Sequence, residues 1–139
     1  MDDQPQVLEL LRLNTPEYFA PEETADFIEY LEREAEYYFV IEEDKRIVAC
    51  GGYNLMSDGI TARISWDMVH PEVQGKGLGR RLTQFRIDDI KKHSSIELIV
   101  VRTSQLAYQF YAKFGFTLAK KVPDFWAKGF HLYQMEMKV

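Results

Sequence analysis

Cysteine is almost missing from this chain: Cys50 stands alone among 139 residues. One thiol excludes an intrachain disulfide, and no Cys/His cluster offers metal-ligand spacing, so no metal is expected. No apolar run approaches the roughly 20 residues that span a bilayer. The start, with Asp2 and Asp3, lacks the basic residues and apolar stretch of a secretion signal. Repeats, low-complexity tracts and linkers are absent as well. Positive charge is in deficit, with 17 Lys and Arg against 22 Asp and Glu and a net charge of −5, which argues against a nonspecific nucleic-acid binder. The expectation is a cytoplasmic protein with no nucleic-acid or membrane partner.

What is present suits a packed domain. The chain is 46% hydrophobic and 14% aromatic, which excludes disorder, and its length fits a single domain over residues 1–139. Val7 to Leu13 reads as a short first strand. Pro21 to Glu36 reads as a helix with Thr24, Phe27, Ile28, Leu31 and Ala35 on one face and an acidic remainder. Tyr37–Ile41 and Arg46–Leu55 form a hairpin around the charged turn at Glu42–Lys45. Ile60, Ala62, Ile64, Trp66 and Met68 alternate with polar residues, so Asp67 falls on the polar face of a half-buried strand. The segment from Arg80 to Lys92 reads as a helix, with Leu78, Leu82 and Phe85 as the buried stripe. Ile96–Val101 reads as a central strand, a short helix carries Leu106, Phe110 and Phe114, and Gly115 ends it. Two last strands, Phe116–Val122 and His131–Val139, flank an aromatic loop at Pro123–Phe130. Tyr53, Trp66 and the Tyr37-Tyr38-Phe39 run read as core.

The chemistry gathers at Gln74-Gly75-Lys76-Gly77-Leu78-Gly79. Three glycines at alternate positions free the backbone N–H groups to curl around an anion. The following helix would point its N-terminus at the same place, with Lys76, Arg80 and Arg81 adding side-chain charge. Lys76 is not followed by Ser or Thr and the glycine spacing differs from a Walker loop, so a Walker-type nucleotide site fails.

Two motifs here resemble the GNAT family of acyl-CoA-dependent N-acyltransferases. Gln74, Gly77 and Gly79 match the family's pyrophosphate motif, with Val69 and Pro71 as its lead-in. Ala107, Tyr111, Gly115 and Phe116 match its second motif, and together the two cover about a third of the chain. The resemblance implies a mixed α/β fold, a mostly antiparallel twisted sheet of about seven strands flanked by three to four helices and splayed centrally to hold coenzyme A. It implies that acetyl-CoA is the cosubstrate and that Gln74, Gly75, Lys76, Gly77, Gly79 and Arg80 hold its pyrophosphate. Met68 and Val69 would face the pantetheine arm, Val69 backbone would polarise the thioester carbonyl, and Ala107 would leave room beside the cofactor. Where the family often has Asn, this chain has Ser104, which caps a helix well but reaches less far toward a ligand.

Tyr111 carries the family's catalytic position, as donor to the departing thiolate. A phenol with pKa about 10 stays protonated at neutral pH, and full transfer to a thiolate of about 8.5 is uphill by roughly 2 kcal/mol. Hydrogen-bond stabilisation of the leaving sulfur therefore outweighs complete transfer. The acceptor ammonium must lose its proton, and Asp67, Glu43 and His131 are the candidate bases. Phe125, Trp126 and Asp124 are candidates for an amine-binding wall, with packing as the other reading. Cys50 has no activator, so direct transfer is expected rather than a covalent enzyme intermediate. The resulting expectation is an N-acetyltransferase acting on a small-molecule or protein amine, with a homodimer allowed. The other reading is a noncatalytic acyl-CoA-binding or sensing module.

Overall fold

The computed structural model describes residues 3–15 and 19–139. Two helices come first, α1 (Gln4–Leu13) and α2 (Glu23–Arg33), followed by β1 (Tyr37–Glu43), β2 (Arg46–Leu55) and β3 (Thr61–Val69). Then come a 3₁₀ turn at Pro71–Val73, α3 (Leu78–Ile90), β4 (Leu98–Thr103), α4 (Tyr108–Ala112), β5 (Thr117–Ala127) and β6 (Phe130–Lys138). The strands form one six-stranded sheet in the order β1-β2-β3-β4-β6-β5. Every pairing is antiparallel except β3 with β4. No helix among the described residues is long and apolar enough to cross a membrane.

The first element corrects the sequence reading: residues from Val7 to Leu13 are helical, not a strand, and the described residues form six strands where about seven were expected. Val7, Leu10 and Leu11 are the buried positions, at the i, i+3, i+4 spacing of one helix face, and Pro5 sits in the first turn where its missing N–H costs nothing. Five apolar residues among the seven from Val7 to Leu13 hid that spacing. The α2 stripe is Phe27, Tyr30 and Leu31 together with Glu23, while Thr24 is exposed. On α3 the stripe runs Leu78, Leu82, Arg86 and Ile90, at i+4 steps, and Phe85 lies 51% exposed rather than buried. The expected aromatic loop is mostly strand, because β5 continues to Ala127 through an irregular stretch in which Asp124 has φ 54°.

Two apolar layers sandwich the sheet. On one face Ile64, Ile99 and Val101 pack with Ile87 and Ile90 of α3, and with Tyr111. On the other, Val7, Leu10 and Leu11 of α1 and Phe27 and Tyr30 of α2 pack on Cys50 and Met68. Ile64 and Met68 would share a face in a regular strand. They do not, because between the pairs Cys50↔Met68 and Gly52↔Ser65 β3 carries one residue more than β2. This β-bulge puts Trp66 at φ 56° and reverses the alternation beyond it.

Glycine makes the bulge fit. A Cβ at Gly52 would lie 2.4 Å from the Tyr37 backbone oxygen, so the sheet has no room for one. Gly79 differs: its Cβ would make ordinary contacts at 3.6 Å with Phe110 and Val69. In urea unfolding, Gly52→Ala should cost about 1–3 kcal/mol from overpacking, whereas Gly79→Ala should be neutral or slightly stabilising within its helix. Equal effects at the two positions would contradict this packing.

Candidate active site

The parallel β3–β4 pairing runs only from Thr61↔Leu98 to Ile64↔Val101 and stops where the bulge begins. Beyond it β4 stays with β6, through Arg102↔Gln134 and Thr103↔Tyr133, while β3 stays with β2. The sheet is therefore splayed at its centre. A cavity of about 590 Å³ occupies the splay and reaches side chains on both faces of the sheet. Met68, Val69, Gln74, Gly79, Ser104, Ala107 and Tyr111 all line it.

The end of β3 presents backbone to this gap. His70 donates its N–H to Val48 O at 2.7 Å, so Val69 and Ala49 are a non-hydrogen-bonded pair and the polar groups of Val69 point away from β2. Val69 O accepts from Asn14 Nδ2 and Gln74 Nε2, both at 3.2 Å. Its N–H faces the side from which β4 has departed. Asn14, at the end of α1, also accepts from Gln74 Nε2 at 3.2 Å, and so ties helix, strand end and glycine turn together. The sequence reading missed Asn14.

Gly75, Lys76, Gly77 and Arg80 are exposed and lie outside the cavity wall, on the turn that leads into α3. Gly75 and Gly77 both have φ 84°, and a Cβ at either would meet nothing within 4 Å, so the turn's surface is open. Gly77 caps α3. The first helical N–H groups have no intrahelical acceptor, and the Arg81 amide turns back to Gly77 O at 3.0 Å. Open amides, a helix start and basic side chains converge there. Ser104 is buried and its Oγ accepts from Leu106 N–H at 3.2 Å, in the turn that leads into α4, whose N-cap position falls to Ala107 instead.

An ionic centre is built into the cavity wall, where Asp67 and Tyr111 line the cavity and Arg86 lies behind them. Asp67 is not solvated on a polar strand face, as its alternation suggested; the bulge turns it toward α3. Its carboxylate accepts from Arg86 Nη1 and Nη2, each at 2.5 Å, and from the Tyr111 hydroxyl at 2.5 Å. Arg86 is fully buried and also donates to Gly52 O, Leu82 O and Thr83 Oγ1 at 3.0, 3.3 and 3.2 Å. Burial opposes the charged guanidinium, but Asp67 outweighs it and the Arg86 pKa is raised. Burial, followed by the Asp67 charge, holds the Tyr111 phenol well above its ordinary value. Arg86 was missed in the sequence, although its i+4 step from Leu82 placed it on the buried stripe.

Other candidates separate. Glu43 is exposed on the β1–β2 hairpin, and His131 Nδ1 accepts from Asp124 N–H at 3.0 Å; neither lines the cavity. Asp124 is occupied by Gly129 N–H at 2.8 Å, also outside the cavity. Of the aromatic pair Phe125 and Trp126, only Trp126 reaches the wall, fixed by its Nε1 donating to Thr103 O at 3.1 Å. Trp66, read as core, lines the cavity after its bulge, with its ring 4.7 Å from that of Phe27. Tyr53 is core, as expected. Cys50 is buried and its thiol is pushed up to about 12 by burial, far from a reactive thiolate.

Burial also raises Tyr30, Tyr38 and Tyr53 above the ordinary phenol value. In the unfolded chain these groups ionise near pH 10. Above that pH the unfolded state holds fewer protons than the folded one, so stability falls as pH rises. Tyr111 contributes fully below about pH 10, and its contribution is lost as pH climbs through its folded value. Tyr111→Phe should make the decline in urea midpoint from about pH 9 to 11 shallower. An unchanged slope would show that Tyr111 titrates as it does in the unfolded chain.

Residues 5–116 match the profile of the acetyltransferase (GNAT) family. Among solved structures, the ribosomal-protein-S18-alanine N-acetyltransferase of Escherichia coli is 18% identical, with a TM-score of 0.81 over 100% of this chain and 89% of that one. The yncA protein of Salmonella typhimurium, solved with its cofactor acetyl-CoA, is 22% identical at a TM-score of 0.77, over 99% of this chain and 88% of that one. The N-acetylglutamate synthase of Neisseria gonorrhoeae, complexed with coenzyme A and N-acetyl-glutamate, is 19% identical at a TM-score of 0.77, over 99% of this chain but 33% of that one. With the family profile spanning most of the chain, a sheet splayed at its centre and a glycine turn leading into α3, this protein belongs to the acetyltransferase (GNAT) family.

Proposed function

We propose that residues 1–139 act as one cytoplasmic N-acetyltransferase domain that moves an acetyl group from acetyl-CoA directly to a primary amine. The observation that carries this reading is the convergence of three features on one splay: the Val69 N–H, the open glycine turn, and Tyr111. Coenzyme A in the Neisseria gonorrhoeae structure and acetyl-CoA in the Salmonella typhimurium structure supply the cosubstrate class. The residues here fit it. The turn from Gln74 to Arg80 would hold pyrophosphate through free amides, with Lys76 and Arg80 adding charge. Met68, Ser104 and Ala107 would line the pantetheine arm.

Acetyl-CoA supplies a thioester carbonyl carbon, to which the amine nitrogen bonds as the carbon–sulfur bond breaks. The Val69 N–H is placed to stabilise the negative charge that develops on the carbonyl oxygen. Tyr111, kept protonated by its burial, serves as hydrogen-bond donor to the leaving sulfur. To do so its hydroxyl must turn from Asp67. Asp67 is already engaged, because three donors occupy its oxygens. Glu23 is better set to receive the amine's proton: it lines the cavity, and burial raises its carboxyl above the ordinary value.

The engagement of Tyr111 with Asp67 also fits the second reading, a noncatalytic acyl-CoA-binding module, so activity decides between them. Thiol release from acetyl-CoA should rise with acceptor across an amine panel. Tyr111→Phe should lower kcat and kcat/KM together by about 10²–10⁴-fold at similar cofactor affinity. Coenzyme A should stabilise the fold by about 2.7 kcal/mol at a hundredfold excess over its Kd. Gly77→Val should abolish that gain, because a β-branched residue is strained at φ 84°. Stabilisation without acceptor-dependent release would leave the binding module as the function.

A further inference from the structure

The cavity contains two cations for which the reaction has no use. Arg63 of β3 and Arg102 of β4 both line it. Ile64, Ile99 and Val101 face α3, so by strand alternation Arg63 and Arg102 lie together on the opposite face, the one that α1 and α2 cover. The register pairs Arg63 with Val100, which puts Arg102 one same-face step further along, where the splay opens. Among the described residues neither guanidinium forms an ion pair. The Nε of Arg102 is buried and has no hydrogen-bond partner.

Such an arrangement costs stability unless something compensates it. Two like charges share one wall, and burial followed by the charge of Arg63 lowers the Arg102 pKa. An unpartnered buried donor adds its own desolvation cost. Yet Arg102 is held in place. Its guanidinium carbon lies 4.8 Å from the Phe125 ring centroid and 5.7 Å from that of Trp126, and Trp126 is itself anchored to Thr103 O. Stacking of this kind fixes the guanidinium plane and leaves its N–H edge available for a planar anion. The exposed Phe125, which does not reach the cavity, thereby acts on it through Arg102.

We propose that the acceptor amine also carries an oxyanion, a carboxylate or phosphate, which Arg102 and Arg63 bind so that the amine faces the splay. The facing α2 wall suits the other end of such a molecule. Asp26, Glu29 and Glu34 line the same cavity and favour an ammonium group, and Glu23 lies among them. The acceptor class is thus a small amino acid or amino phosphate rather than a plain amine or a polyamine. This rests on the acetyl-transfer reading and names the substrate of that same site.

The test uses matched probes with and without the anion: alanine and phenylalanine against their carboxamides, and phosphoethanolamine against ethanolamine. An α-carboxamide lowers amine basicity and so favours the neutral member, which makes the wild-type-to-variant ratio the informative quantity. Arg102→Gln and Arg63→Gln should each reduce kcat/KM for the preferred anionic member by about 10- to 100-fold, at least tenfold more than for its neutral partner. Preference within the carboxylate pairs or within the phosphate pair identifies the oxyanion. Equal losses on both members of every pair, or no losses, overturn the proposal. If no probe releases thiol, thermal shifts with coenzyme A present decide it. Stabilisation by an anionic probe that disappears in Arg102→Gln supports the oxyanion site while removing the reaction. Absence of any such stabilisation removes both.

Discussion

Everything in this site hangs on one buried ion pair. Arg86 enters the interior on the apolar stripe of α3, where an isolated guanidinium would cost several kcal/mol to desolvate. It is tolerated because Asp67 meets it in a two-pronged contact and three further oxygens satisfy its remaining donors. Such pairs add little net stability over a well-packed apolar substitute. Their effect lies in geometry. Asp67 reaches α3 only if β3 carries its extra residue, so the pair selects the bulged strand over the regular one.

Catalytic geometry follows from that selection. The bulge sends Trp66 and Met68 to the α1–α2 face and Asp67 to the α3 face, and β3 parts from β4 where it begins. Parting exposes strand backbone at Val69 and opens the cavity through the sheet. The same carboxylate then receives the Tyr111 hydroxyl, which fixes α4 beside the gap. Glycine at 51 and 52 is the steric condition for all of this. A Cβ at Gly51 would sit 3.0 Å from Arg86 Nη1, and one at Gly52 would strike β1 backbone.

Much of this was legible in the sequence where the signal was local. The glycine turn, the α4 motif around Tyr111 and the hairpin between β1 and β2 depend on neighbouring residues. Even the hairpin turn is local: Asp44 and Lys45 both take positive φ, as a two-residue connection requires. What escaped was non-local. Strand periodicity puts Asp67 on the polar face because a bulge leaves no mark on apolar alternation. The segment of α1 reads as a strand because a short stretch dense in apolar residues suits either element. Arg63, Arg102 and Glu23 carry no local signal in the sequence, and only the fold walls them into one cavity. The aromatic segment drew attention as a pocket lining, yet Phe125 meets the site only through the guanidinium it stacks on.

The most direct test of this account is a double-mutant cycle on Asp67 and Arg86 in urea, using Asp67→Leu, Arg86→Met and both together. Either single change leaves a buried charge without its partner and should cost about 3–5 kcal/mol. The double variant should cost no more than either single one, giving a coupling of at least about 3 kcal/mol, well beyond the 0.3–0.5 kcal/mol expected of independent sites. Costs that simply add would contradict the claim that this pair holds the bulged strand in place.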